Sequence, residues 1–199
     1  EFRRVLFRSA ELLQRPPEVA KELRRRAFES DAAQSPFAAE AYFNYYSYQD
    51  YLTGDRAAIR HLQGFGNKYP ESPYLIEAHY LIGLDNKRDR KNSDGKWIRK
   101  KSLTDAIDSF QKAELLFDDL ADKKGIPKEK LSYYASMRYR ATFERAMANL
   151  SIANEAQGAK RRIYLDYAEE VFKGLLADLN SRKSPSVQLL LQSDPRLPL

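Results

Sequence analysis

Apolar residues recur in three- and four-residue steps along most of this chain, the period of helices with one buried face. Over residues 10–33, Val19, Ala20, Leu23, Ala27 and Phe28 share a face, and Pro16-Pro17 marks its start. Ser35 and Pro36 then open a helix as N-cap and first-turn residue, and Ala38, Ala41, Tyr42, Tyr45 and Leu52 carry its stripe. Gly54-Asp55 breaks the pattern. A partner helix follows, with Ala58, Ile59, Leu62 and Phe65 inward, and it ends before Tyr69-Pro70. A second pair begins at Ser72-Pro73. Ala78, Leu81 and Ile82 form its first stripe, Gly83 permits a close helix contact, and Ala106, Ile107, Phe110, Ala113 and Leu116 form the stripe of the partner. Residues 85–102 (DNKRDRKNSDGKWIRKKS) lack helical period and hold the Asp94-Gly95 turn signal, which predicts an inserted loop. After a linker at 123–127, periodic stretches at 130–156 and 159–179 predict two long helices, the second with Ala168, Phe172 and Leu175 inward. Residues 180–199 are Ser- and Pro-rich and read as a tail.

The two pairs are related. SPFAAEAYF at 35–43 and SPYLIEAHY at 72–80 share Ser, Pro, an aromatic, Glu and Ala in register, thirty-seven residues apart. A period of this size marks stacked units, none of which buries its apolar face alone. The predicted class is therefore all-α, an α-solenoid of about three helix-turn-helix units: 35–71, 72–120 and 121–180, preceded by a partial unit at 10–34. Residues 1–9 (EFRRVLFRS) resemble the translation of sequencing-adapter read-through and are left out of this reading. On that expectation the genuine start, with any secretion leader or lipid anchor, lies upstream.

Composition narrows the chemistry. With 31% charged and 43% hydrophobic residues the chain is that of a folded protein, and no run reaches the roughly 18 apolar residues that read as a membrane span. The absence of Cys excludes disulfides, thiolate catalysis and Cys-type zinc sites. His61 and His79 lie on separate helices with no ligand pattern around them, and no phosphate-binding Gly loop, HExxH or nucleophile elbow occurs, so no enzyme, cofactor or metal site is expected. Charge is concentrated in the insertion. Lys87, Arg88, Arg90, Lys91, Lys96, Arg99, Lys100 and Lys101 stand against three Asp, an excess of +5 in a formal net charge of +6. Such a loop, with Trp97 as an aromatic anchor, suits an acidic protein or an anionic surface, and it equally suits a solvated loop with Trp97 folded onto a helix. No nucleic-acid reading motif accompanies it.

The second-helix spacings resemble the tetratricopeptide repeat. Ala106, Phe110 and Ala113 match its small-aromatic-small pattern in full; Ala58, Leu62, Phe65 and Ala168, Phe172, Leu175 match in spacing with a bulky third member. Gly83 fills the small slot of the first helix, where the preceding unit has Tyr46, a departure that bears on how closely that pair can pack. The KYPESPY boundary at 68–74, EAHYLIG at 77–83 and the enlarged loop after it resemble the BamD/ComL-type outer-membrane assembly lipoproteins and, more distantly, the periplasmic Tol-Pal coordinators. The resemblance implies a non-enzymatic scaffold for other proteins on the periplasmic face of the outer membrane, assisting β-barrel assembly and held there by an anchor outside this sequence. It also implies a concave peptide groove at Glu40, Phe43, Asn44, Ser47, Glu77, Tyr80, Leu81 and Leu84, although the Tyr-rich first helix can instead pack between units. A cytoplasmic repeat chaperone or secretion adaptor, and an anionic-surface module using the basic loop, are the rival expectations.

Overall fold

A computed structural model describes residues 22, 25, 29, 36–53, 56–91 and 97–181. Among the described residues from Pro36 onward, seven helices and one short ribbon follow in order: α1 (Pro36–Thr53), α2 (Arg56–Gln63), α3 (Phe65–Lys68), α4 (Tyr74–Asn86), β1 (Arg90–Lys91), β2 (Trp97–Arg99), α5 (Leu103–Asp122), α6 (Lys128–Glu155) and α7 (Gly158–Ser181). The class is all-α. Positions 22, 25 and 29 are helical, where Arg25 bridges Glu22 at 2.7 Å and Glu29 at 2.9 Å. The apolar stripe expected around them, Ser35, Gly54-Asp55, the Asp94-Gly95 turn with Lys96, and the tail from 182 lie outside the described residues. So do the side chains of Leu52 and Ala58.

Contacts divide the chain into two units, Glu1–Ala78 and His79–Leu199, with the division inside α4. In the first unit, Ala38, Ala41 and Tyr42 of α1 and Ile59, Leu62 and Phe65 of α2 and α3 are buried, the stripes that periodicity predicts. The helix expected to run to Tyr69 is interrupted at Gly64 and resumes as one turn from Phe65. An aromatic cluster fills this hairpin. Tyr42 packs at 5.8 Å from Phe65 and 5.7 Å from Tyr69, and Tyr46 stacks on His61 at 3.8 Å. Tyr46 thus has room for its ring against an imidazole, whereas at Gly83 the Phe110 ring leaves no room for a side chain.

In the second unit α5, α6 and α7 run antiparallel to their neighbours in sequence, as their short connections require. Asp118 pairs with Arg138 and Glu114 with Arg145, so α5 descends as α6 rises; Arg138 to Asp178 and Phe143 to Phe172 give α6 and α7 the same relation. Ser102 caps α5, its Oγ accepting from the Asp105 backbone N–H at 3.4 Å. Gly83 sits on the Phe110 ring so closely that an added Cβ would lie 2.5 Å from the ring edge. The core is small-residue rich: Ala106, Ala113, Ala135, Ala141, Ala146, Ala148 and Ala153 are wholly buried, which draws long helices together. Ala168 is buried, whereas Phe172 and Leu175, expected inward, are only half-buried, Leu175 because it borders an open groove. Among the described residues no helix is long and apolar enough to cross a membrane.

The insertion differs from its prediction. α4 continues through Asp85 and Asn86, both buried, so the excursion starts at Lys87. Its neck is closed by the Ser102 N–H donating to the Asn86 carbonyl at 2.8 Å, and the chain between forms an antiparallel ribbon, Arg90 opposite Arg99 and Lys91 opposite Trp97. Trp97-Ile98 supplies the aromatic and β-branched residues that favour a strand.

Candidate functional site

α6 carries polar residues at Arg138, Thr142, Arg145 and Asn149, spaced four, three and four, which places them on one face of the helix. They form the floor of an open groove of about 580 Å³. One wall is α5, through Thr104, Ile107, Asp108 and Gln111; the other is α7, through Tyr164, Tyr167, Glu170, Val171 and Gly174. Gly174 has nothing within 4 Å of where its side chain would be, which keeps that wall open.

The floor is tied down locally. Thr142 Oγ1 donates to the Arg138 carbonyl and Asn149 Nδ2 to the Arg145 carbonyl, each at 3.0 Å. Arg145 grips the buried Glu114 with both arms, Nε to Oε1 at 2.7 Å and Nη2 to Oε2 at 3.0 Å, the fork geometry that suits a carboxylate. Arg138 does the same to Asp118, at 2.8 and 3.3 Å, and its Nη1 lies 3.9 Å from Asp178. Burial lowers the Arg138 pKa, but the hydrogen bond and charge of Asp118 outweigh it and hold the guanidinium ionised. With both arginines occupied, the acids Asp108 and Glu170 remain at the rims, facing solvent from opposite walls. The groove offers rings, an aliphatic wall and an acidic edge.

None of the eight expected groove residues lies here. Phe43 is a correction: it is buried, stacked on Tyr74 at 5.1 Å and beside Phe65 at 6.0 Å, because its face of α1 points into the aromatic core. Glu40, Asn44, Ser47 and Glu77 are half-buried, as are Tyr80, Leu81 and Leu84 on α4, where Tyr80 meets Phe110 at 5.9 Å. The Tyr48 and Tyr51 side chains are outside the described residues. Of the four insertion cations whose side chains are described, two are ion-paired: Lys87 with Glu144 and Lys101 with Glu155, both on α6. The Lys101 backbone N–H also donates to Asp89 Oδ1 at 2.7 Å. Arg88 and Lys100 are exposed, while the side chains of Arg90, Lys91, Trp97 and Arg99, and all of Lys96, lie outside the description.

The Lys101–Glu155 pair has a second effect. Glu155 ends α6 two residues before α7, and the first turns of α7 carry Lys160, Arg161 and Arg162, all exposed, with no acid in the first turn. The ribbon foot and this basic turn therefore share one end of the unit.

The histidines are packing groups. His61 Nδ1 lies 3.2 Å from the Tyr42 hydroxyl, and burial lowers its pKa. Burial and Lys112 push His79 down to about 4. Among the described residues no three His, Cys, Asp or Glu come together as a metal site. No family model, curated protein or solved structure matches this chain. Sequence reading missed the α5–α6–α7 groove; its one signal was the run of polar residues at helical spacing on α6, which reads equally as solvated surface until α5 and α7 flank it.

Proposed function

We propose that this protein is a non-enzymatic adaptor that holds a segment of a partner protein in the groove between α5 and α7. The observation that carries it is the groove itself: an uncharged-by-pairing floor between aromatic and aliphatic walls, with acids at both rims, fits an extended or helical segment bearing apolar side chains flanked by Lys or Arg. Preorganisation supports the reading, since the floor is locked by its own ion pairs and loses little freedom on binding. Repetition supports the solenoid of tetratricopeptide-like hairpins. α4 meets α5 where Gly83 sits on Phe110, α6 runs antiparallel to α7, and α6 meets α5 through Arg145 to Glu114 and ties Lys87, one residue past the end of α4, through Glu144. Ala106, Phe110 and Ala113, which carry the repeat resemblance, are all wholly buried.

The resemblance at 68–83 extends the proposal to the bacterial envelope and to assistance in outer-membrane β-barrel assembly. A photo-crosslinking residue placed at Tyr167 in the native host tests the groove. A discrete protein adduct that disappears with Val171→Asp supports it; the same adducts from the exposed turn at Lys124 refute it. Fractionation of the full gene product decides the compartment, and a cytoplasmic location would favour the chaperone rival.

A second reading is favoured by the shared basic end. Arg88, Lys100, Lys160, Arg161 and Arg162 are exposed there, a surface suited to anionic headgroups. Sedimentation with vesicles rich in anionic lipid should be lost at high salt and in a Lys160→Ala, Arg161→Ala, Arg162→Ala variant. Binding that survives either change excludes this reading.

A further inference from the structure

The outer edge of α7 carries an exposed stripe. Lys160, Ile163, Tyr167, Glu170, Gly174 and Ala177 are spaced three, four, three, four and three, the seam of a helix that lies along a second helix. All six are exposed, Ile163 by 48% and Tyr167 by 53%, so two large side chains one turn apart stand in water.

The stripe is complementary to itself. When a second α7 lies beside it in the opposite direction, with a two-fold axis at the Ala168–Glu169 peptide, Ile163 meets the partner's Gly174 and Tyr167 meets the partner's Glu170. Among the described residues nothing lies within 4 Å of where a Gly174 side chain would be, which leaves a notch for Ile163. The Tyr167 hydroxyl can donate to the carboxylate opposite. Charge fixes the direction. Lys160, Arg161 and Arg162 open α7, whereas Asp166, Glu169, Glu170 and Asp178 outnumber Lys173 along the rest of it. Antiparallel pairing sets the basic start of one helix beside the acidic end of the other, and parallel pairing would set like charge on like. The groove adds to the match, since its lining holds four acids against two arginines in a chain whose net charge is +6.

We infer that two copies of this chain pair through α7, antiparallel about a two-fold axis at Ala168–Glu169, and that this pairing caps the groove until a partner segment displaces it. Tyr167, Glu170 and Gly174 belong both to the seam and to the groove wall, so the two kinds of binding exclude each other. The capping rests on the adaptor reading above; the pairing does not.

The chain contains no Cys, so introduced thiols report the contact directly. Ile163→Cys and Gly174→Cys, made as separate full-chain variants, replace exposed positions and leave the core untouched. Eleven helical residues separate the two sites by about 16 Å, so neither site meets its own counterpart across the two-fold axis. Mixed and mildly oxidised, the variants should give a disulfide-linked dimer; oxidised separately, each should stay monomeric. No dimer from the mixture, or as much dimer from either variant alone, would overturn the pairing. Sedimentation of the unaltered chain should show a dimer that Ile163→Asp converts to monomer with its helical circular dichroism retained. A monomer at every concentration would overturn the pairing as well. A photo-crosslinking residue at Tyr167 separates this inference from the adaptor reading. A host-protein adduct from a chain that sediments only as monomer ends the pairing and keeps the adaptor, whereas a dimer that gives no host adduct keeps the pairing and ends the adaptor. Where both occur, locking the mixed dimer by its disulfide should abolish the host adduct, and an undiminished adduct would overturn the capping.

Discussion

At the scale of single residues, three side chains are set by space and solvation. Replacing Gly83 by Ala drives a methyl into the Phe110 ring, with the three nearest ring atoms at 2.5 to 2.9 Å, and Phe110 is itself wholly buried. Such overpacking costs typically about 1–3 kcal/mol, so Gly83→Ala should lower the urea midpoint without changing the slope. Tyr69 shows the opposite case. Its hydroxyl is buried without a hydrogen-bond partner among the described residues, so Tyr69→Phe removes a desolvated polar group and should leave stability equal or raise it by up to about 1 kcal/mol. His79 carries a pH signature. Its folded pKa of about 4 lies below the ordinary 6.5, so the unfolded chain binds the proton more readily. The contribution is complete above about pH 6.5 and is lost as pH falls toward 4. Urea midpoints measured across that window should decline, and His79→Gln should flatten the decline; an NMR titration of His79 with a midpoint near 6.5 would contradict the assignment.

At the scale of elements, α5 and α6 are joined across their interface by Arg145 and Glu114. The carboxylate is buried, so Arg145→Met strands a charge and should destabilise by about 3 kcal/mol, whereas Arg145→Met with Glu114→Met should recover most of the loss. Equal costs for the single and double variants would show that the pair is solvated. The ribbon illustrates what an element can conceal. As a string of charges the insertion reads as loop; in the fold its ends are tied by Lys87 to Glu144 and Lys101 to Glu155, so its cations are partly ties to α6 and partly free surface. Pairing partners fifty or more residues away leave no local trace, which is why the motif was readable as charge and not as structure.

At the scale of the second unit, α6 is the helix flanked by α5 and α7, and five of its alanines are wholly buried. Its central amides should exchange slowest in native-state hydrogen exchange, with α7, more exposed along its length, exchanging sooner. A protection maximum in α7 would mean that its outer faces are covered in solution. The chain's net charge of +6 is unevenly held, and the second unit brings basic residues far apart in sequence, Lys100 and Lys160–Arg162, to a common end.

The described helices, most of their buried stripes, the Ser72-Pro73 opener and the close approach at Gly83 follow from local periodicity, because burial of one face per helix imprints a 3.6-residue repeat that needs no knowledge of the partner. Two parts of the candidate site did not follow. Phe43 was assigned to a groove because register names a face without saying what stands against it, and Tyr74 and Phe65 made that face core. The groove of α5, α6 and α7 exists only once three helices have chosen their neighbours. Sequence alone determined where most helices run and where their apolar stripes lie; tertiary structure decided which further residues are covered, as at Phe43, and which polar sides face one another across open space, since both depend on contacts between residues too distant in the chain to leave a pattern in it.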